Sequence, residues 1–204
     1  MLERKRGMGV AASHPISQQL TQALNQSGLD CRMYAHPADM KWSKMLTNLL
    51  ANPSSAILNM APAEIFADPG LFKIEVLQLR EALRVMEARK IRVVDLPGTP
   101  VVALAFAIRH LPLSVAKPLL TQSVGAGRGK KMPSFHVDLY AGRGKSEVEY
   151  LNGAVVRYGK ASGIKTPVNQ FLTETLVSLT QGEIPLDTYA GKPDKFLAEL
   201  EKLL

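Results

Sequence analysis

Cysteine is almost missing from this chain. Cys31 stands alone among 204 residues, which excludes an internal disulfide and fits a reducing compartment, the cytoplasm being the expectation. Aromatic residues are sparse, at 6% with one tryptophan. Few of them fall among the basic clusters Arg4-Lys5-Arg6, Gly127-Arg128-Gly129-Lys130-Lys131 and Gly142-Arg143-Gly144-Lys145. The stacking platform of a nucleic-acid binder is therefore not visible, and no such partner is expected. Long apolar runs are lacking too: the stretch from Pro100 to Ile108 stops at Arg109 and His110, short of the ~18 residues of a membrane span. The charged start at 1–7 is not followed by the apolar region of a secretory signal. His14, His36, His110 and His136 have no metal-ligand spacing, so no metal is expected, and no Gly-x-Ser-x-Gly elbow occurs. Two glycine-rich stretches imitate phosphate cradles and fail. Gly125-Ala126-Gly127-Arg128-Gly129-Lys130 has its third glycine misplaced and no strand before it. Gly144-Lys145-Ser146 has Leu139 where a P-loop needs its first glycine. Both read as loops bracketing a helix that starts near Ser134.

What is present is the composition of an ordinary globular protein, 46% hydrophobic and 21% charged, long enough for one large domain or a domain with an appendage. The net charge of +7 permits contacts to a small anion without identifying one. Helical periodicity dominates. A helix is expected from Pro15 to about Asn25, capped by Gly28, followed by a strand at Leu29 to Tyr34, with the first dozen residues a frayed start. Pro37 opens a helix running into Pro53, where a kink near Asn52 is expected, with Ser54 to Leu58 continuing beyond. Asp68-Pro69 caps a long core helix reaching Arg89. Further helices are expected at 101–110, 113–123, 132–141 and 147–160, from Pro167, and from Pro193. The fold class is all-α, seven or more helices with almost no strand, divided into a tail with one helix and one strand at 1–36 and a helical domain at 37–204.

Two places carry chemistry. With 3.6 residues per turn, Lys44, Asn48 and Asn52 share one helix face, while Trp42, Met45, Leu46, Leu49 and Leu50 fall largely on others. Such a polar stripe is either a solvated edge or a site, in which a partly buried lysine beside neutral amides serves as proton donor. Glu147 follows Ser146 in the first turn of a helix. It is either an acid placed for the helix dipole or an acceptor for a substrate hydroxyl.

Taken together, Trp42-Ser43-Lys44-Met45 with Asn48 and Asn52-Pro53, and Ser146-Glu147-Val148-Glu149-Tyr150-Leu151-Asn152-Gly153-Ala154-Val155-Val156 followed by Gly163-Ile164-Lys165-Thr166-Pro167-Val168-Asn169, closely resemble ketopantoate reductase, also called 2-dehydropantoate 2-reductase. The resemblance covers about Ser17 to Leu179. It implies the helical C-terminal domain of that family, of the 6-phosphogluconate dehydrogenase C-terminal-like type, which the family joins to an NADP-binding Rossmann domain. It implies NADPH as cofactor and a small 2-keto acid, 2-dehydropantoate, as substrate, in the route to pantothenate and coenzyme A. By the same resemblance Lys44 matches the catalytic lysine that donates a proton to the keto oxygen. Asn48 matches the substrate-binding asparagine one turn on, and Asn52 the asparagine before the proline. Ser134, in Pro133-Ser134-Phe135, matches the serine that holds the carboxylate end of the substrate, and Glu147 the glutamate that contacts it.

The part before Pro37 resembles the last helix and strand of the nucleotide-binding domain, whose glycine-rich fingerprint has no counterpart here. A truncated or split enzyme, inactive alone, is therefore expected, with a separate Rossmann-domain chain or a second copy as partner. The alternative is a non-catalytic helical module for dimerisation or ligand binding.

Overall fold

The computed structural model describes residues 7–118, 120 and 131–204. Arg4-Lys5-Arg6, the glycine motif at 125–130 and the end of the helix expected at 113–123 lie outside the described residues. Within the stretch expected to be a frayed start, Met8–Ala11 form strand β1, which pairs in parallel with β2 (Cys31–Tyr34) across helix α1 (Ser17–Gln26). Met8 lies opposite Cys31 and Ala11 opposite Tyr34. The sequence Met-Gly-Val-Ala has weak strand propensity, and what seats it is close contact. A Cβ on Gly9 would fall 2.5 Å from the sulfur of Met40, and Met8 N–H donates to Asp30 O at 2.7 Å. Gly28, at φ +85, turns α1 into β2. The Asn25 side chain then bonds both backbone groups of Cys31, at 2.9 and 2.8 Å. The unit before Pro37 is thus strand, helix and strand, and the expectation of one helix and one strand is corrected.

The rest is helical, as expected: α2 (Pro37–Leu49), α3 (Asn52–Leu58), α4 (Pro62–Ala67), α5 (Pro69–Ala88), α6 (Val101–His110), α7 (113–118), α8 (Ser134–Tyr140), α9 (Asn152–Ala161), α10 (Pro167–Gln181) and α11 (Pro193–Glu201), with 3-10 turns at Glu147–Tyr150 and Leu186–Thr188. The hub is α5. Asp68 starts it by accepting Leu71 N–H at 2.9 Å, and Pro69 fits the first helical position. It then buries Leu71, Phe72, Ile74, Val76, Leu79, Leu83, Val85 and Met86 and leaves the stripe of Lys73, Leu77, Arg80, Arg84 and Glu87 toward solvent. Helices α2, α4, α6, α9, α10 and α11 pack against it. Each fully buried side chain such as Phe72 or Leu83 contributes about 1.5–3 kcal/mol.

Three polar residues interrupt that apolar helix. Glu75, Gln78 and Glu81 are 0%, 0% and 2% exposed and stand one turn apart, so they form a spine along one inward line. Its upper end serves the junction between α2 and α3. Pro53 has no N–H for Leu49 O, and its ring would crowd that carbonyl. The helix therefore stops at Leu49, and Ala51 takes a left-handed φ of 53, costing roughly 1–2 kcal/mol. Gln78 Nε2 supplies the missing donor to Leu49 O at 3.3 Å. Glu75 accepts Ala51 N–H at 2.6 Å and the Ser54 hydroxyl. The expected kink is a complete break.

The lower end serves α10. Glu81 accepts the N–H groups of Val168 and Asn169 at 2.9 Å each, and Asn169 Nδ2 at 2.7 Å, closing donors that a helix start leaves open. Burial raises the Glu81 carboxyl above the usual carboxylate range, outweighing the three N–H groups that pull it down. Between the ends, Asn152 Nδ2 donates to Gln78 Oε1 at 3.1 Å and Asn169 Oδ1 at 3.0 Å. That inward pull on Asn152 accompanies a further correction. The helix expected at 147–160 is split into the 3-10 turn, a break at Leu151 (φ -104, ψ -84), and α9.

Candidate functional site

Helix α2 sorts its polar residues between two faces. Inward, Asp39 accepts Arg92 N–H and Ser43 Oγ accepts Val94 N–H, both at 2.9 Å, which ties down the connector after α5. Met45, Leu46 and Leu49 fill the core. Trp42 sets its ring edge-on to Tyr158 at 5.6 Å, and the Arg89 guanidinium lies 4.3 Å from the same tyrosine ring, a cation–π contact. Outward lie Lys41 and Lys44, both exposed, and Asn48, half-buried. The expectation of a partly buried lysine is corrected: position 44 points away from the face that buries 43, 45 and 46.

Asn52 begins α3 beyond the break and is only 5% exposed. Its Oδ1 accepts Phe135 N–H at 3.1 Å, and its Nδ2 lies 3.4 Å from Ser134 Oγ. Two expected site residues 82 positions apart in sequence therefore meet, with Ser134 exposed at the start of α8. On the other side of α8, His136 Nε2 lies 2.7 Å from Asn59 Oδ1, and its ring stacks on Tyr140 at 4.3 Å. Burial lowers the His136 pKa below the usual imidazole value.

Glu147 is exposed in the first position of its 3-10 turn, with Ser146 Oγ accepting Val148 N–H at 3.2 Å. It lines an open cavity of about 560 Å³ whose wall includes Asp138, Arg143, Lys145, Tyr150 and Thr180. Arg143 and Asp138 form an ion pair there. Among the described residues this wall is built from α8, the turn region and α10, without a residue of α2. The structure thus groups Asn52 with Ser134, keeps Lys44 and Asn48 one turn apart on α2, and sets Glu147 on another wall.

The turn between β1 and α1, Ala12-Ser13-His14-Pro15-Ile16, holds His14 and Pro15 where a pyrophosphate would need glycines to approach the backbone. These residues do not form a dinucleotide cradle. Among the described residues no three His, Cys, Asp or Glu side chains cluster as a metal would need, and no helix is long and apolar enough to cross a membrane.

The spine residues Glu75, Gln78 and Glu81 went unnoticed in the sequence, although polar residues at i, i+3 and i+6 inside an apolar helix are the signal for them.

A family profile described as ketopantoate reductase PanE/ApbA C terminal matches residues 38–179. The 2-dehydropantoate 2-reductase of Pyrobaculum aerophilum is 27% identical over 167 residues, 82% of this chain and 52% of the relative. The chain spans about half the length of the curated relatives it matches. Among solved structures, the PanE/ApbA family ketopantoate reductase from Ralstonia eutropha JMP134 superposes with a TM-score of 0.68 at 20% identity, over 87% of this chain and 53% of that one. A D-mandelate dehydrogenase in complex with NADH superposes with a TM-score of 0.65 at 22% identity, over 85% and 55%.

Proposed function

The chain belongs to the ketopantoate reductase C-terminal family, and from that premise we propose that it is the substrate-binding and proton-donating part of an oxidoreductase acting on a small 2-keto acid, 2-dehydropantoate being the first to test. The observation that carries this reading is the meeting of Asn52 with Ser134 across 82 residues, together with an exposed Lys44 and a half-buried Asn48 one turn apart on α2. Reduction of a keto group places negative charge on its oxygen, and an ammonium held there supplies both the proton and the stabilising charge. In this proposal Lys44 gives that proton. Being exposed, it regains one from water. Asn48 orients the keto acid by hydrogen bonds, Ser134 meets its carboxylate end, and Asn52 holds Ser134. Glu147 takes the hydroxyl end of a substrate that reaches across from α2.

Residues 1–36 are, on this reading, the edge of a nucleotide-binding sheet, with 37–204 the helical domain. A parallel pair is seldom a sheet on its own, since both faces of parallel sheets are normally covered and two strands alone are marginal. That supports completion by a cofactor-binding unit, and the proposed cofactor is NADPH. The test is titration calorimetry with ketopantoate and with NADPH, then turnover. The chain alone is expected to bind the keto acid and to show no NADPH-dependent turnover. Joined to a cofactor domain it turns over, and Lys44→Ala abolishes that activity. Turnover by the isolated chain, or full activity of Lys44→Ala, would remove the reading.

A second reading, a helical module for self-association, is favoured by α6. Its inner face buries Val101, Ala105 and Ile108, while Val102 and Phe106 are 47% and 58% exposed on the outside. Sedimentation of wild type against Phe106→Glu decides it.

A further inference from the structure

We infer that Glu75, a buried residue of α5, is the residue that positions Asn52. This rests on the reading above for its consequence in substrate binding, though not for its geometry. The chain makes an abrupt break at Leu50–Ala51 because Pro53 cannot extend α2. How α3 leaves that break decides where Asn52 points. Three contacts fix it: Ala51 N–H to Glu75 at 2.6 Å, the Ser54 hydroxyl to Glu75, and Gln78 Nε2 to Leu49 O at 3.3 Å. Glu75 is itself held by Gln78 Nε2 at 2.6 Å and is fully enclosed. A carboxylate buried this completely accepts the N–H of the left-handed residue on one oxygen and the hydroxyl two residues beyond Asn52 on the other. It therefore brackets Asn52 on both sides. Asn52 in turn receives Phe135 N–H and reaches Ser134. The chain of contacts runs from α5 through the break to the start of α8.

Glu81 supplies the control. It is equally buried and sits two turns along the same helix, yet it holds the start of α10. If burial of a carboxylate mattered only for stability, Glu75→Gln and Glu81→Gln would behave alike. If Glu75 positions Asn52, they separate at the α3–α8 contact.

The experiment is amide hydrogen exchange with assigned spectra of the full chain, read at Phe135 N–H, whose acceptor is Asn52. In Glu75→Gln, exchange at Phe135 is expected to speed up at least tenfold beyond the change in global unfolding, with the Asn52 side-chain amide resonances displaced. In Glu81→Gln the Phe135 rate follows global stability alone. Glu75→Asp partly restores protection. Should Glu75→Gln not fold, Ala51→Gly with Glu75→Gln removes the cost of the left-handed residue and restores folding, and the Phe135 signal still changes. Calorimetry with ketopantoate adds a second readout: affinity falls about tenfold in Glu75→Gln and less than twofold in Glu81→Gln. Unchanged Phe135 exchange in a folded Glu75→Gln protein, or equal effects of the two variants, overturns the inference. So does failure of every Glu75 variant to fold, which would make Glu75 a folding residue. If wild type binds no ketopantoate, the functional reading falls, while Phe135 exchange still decides the positioning role.

Discussion

The same residue types do opposite things in two parts of this molecule. Along α5 and its neighbours, Glu75, Gln78, Glu81, Asn152 and Asn169 are sealed from water and bonded to one another and to helix ends. Along the outer face of α2 and across to α8 and the following turn, Lys44, Asn48, Ser134 and Glu147 are exposed or half-buried. An asparagine in the first group joins helices, because an unmet amide group there costs free energy on the order of 1–3 kcal/mol. Among the described residues Asn152 Oδ1 is left without a partner, while its Nδ2 bonds Gln78 and Asn169. In the second group the polar side chains reach the surface, where a ligand can meet them. Asn52 lies between the regimes: it is buried and bonded to α8, while its neighbours in the stripe face outward.

The comparison breaks most visibly at its buried end. Asn169→Ala removes donors to Gln78 O and Glu81 and the acceptor for Asn152, and should cost about 3 kcal/mol in denaturant unfolding. Asn52→Ala should cost less, about 1–2 kcal/mol, and should also weaken keto-acid binding measured by calorimetry. Lys44→Ala should leave unfolding within about 0.5 kcal/mol of wild type, yet lower turnover on the order of 10²–10⁴-fold in a chain joined to its cofactor domain. If Lys44→Ala instead destabilises as Asn169→Ala does, the division between the two regions is wrong.

The smallest effect is pH dependence at His136. Its pKa is lowered on folding, so the unfolded chain binds the proton more readily. Stability from this group is present above the ordinary value of 6.5 and is lost as pH falls through the folded value. Unfolding of wild type and His136→Phe should therefore converge as the solution is acidified from neutral. For Glu81 the sign is opposite. Its raised folded pKa means that stability is present below the ordinary carboxylate range and declines as pH rises through the folded value. The gap between wild type and Glu81→Gln should narrow in that direction.

Much of the helical body was legible because it depends on local signals. Pro37, Pro69, Pro167 and Pro193 each stand at the first helical position, and Gly28 reverses the chain where a left-handed residue was needed. Lys44, Asn48, Asn52, Ser134 and Glu147 were singled out from motifs, and of these the structure brings Asn52 and Ser134 into contact. What stayed hidden depends on distant contacts. Strand β1 exists because Gly9 fits against Met40 and because β2 pairs with it, neither of which a four-residue window can show. The break at Leu151 follows the burial of Asn152 against Gln78 and Asn169, 74 and 17 positions away. The left-handed turn at Ala51 needed a carboxylate 24 residues on.

Asn25 has a consequence for the edge of the sheet. Asp30 and Tyr34 turn their carbonyls toward β1, so by the alternation of a strand Cys31 turns its backbone groups to the opposite edge, where the Asn25 amide occupies both of them. A short parallel sheet is an invitation to strands of other molecules. At Cys31 the side chain takes the place that an incoming strand would need on this edge of β2.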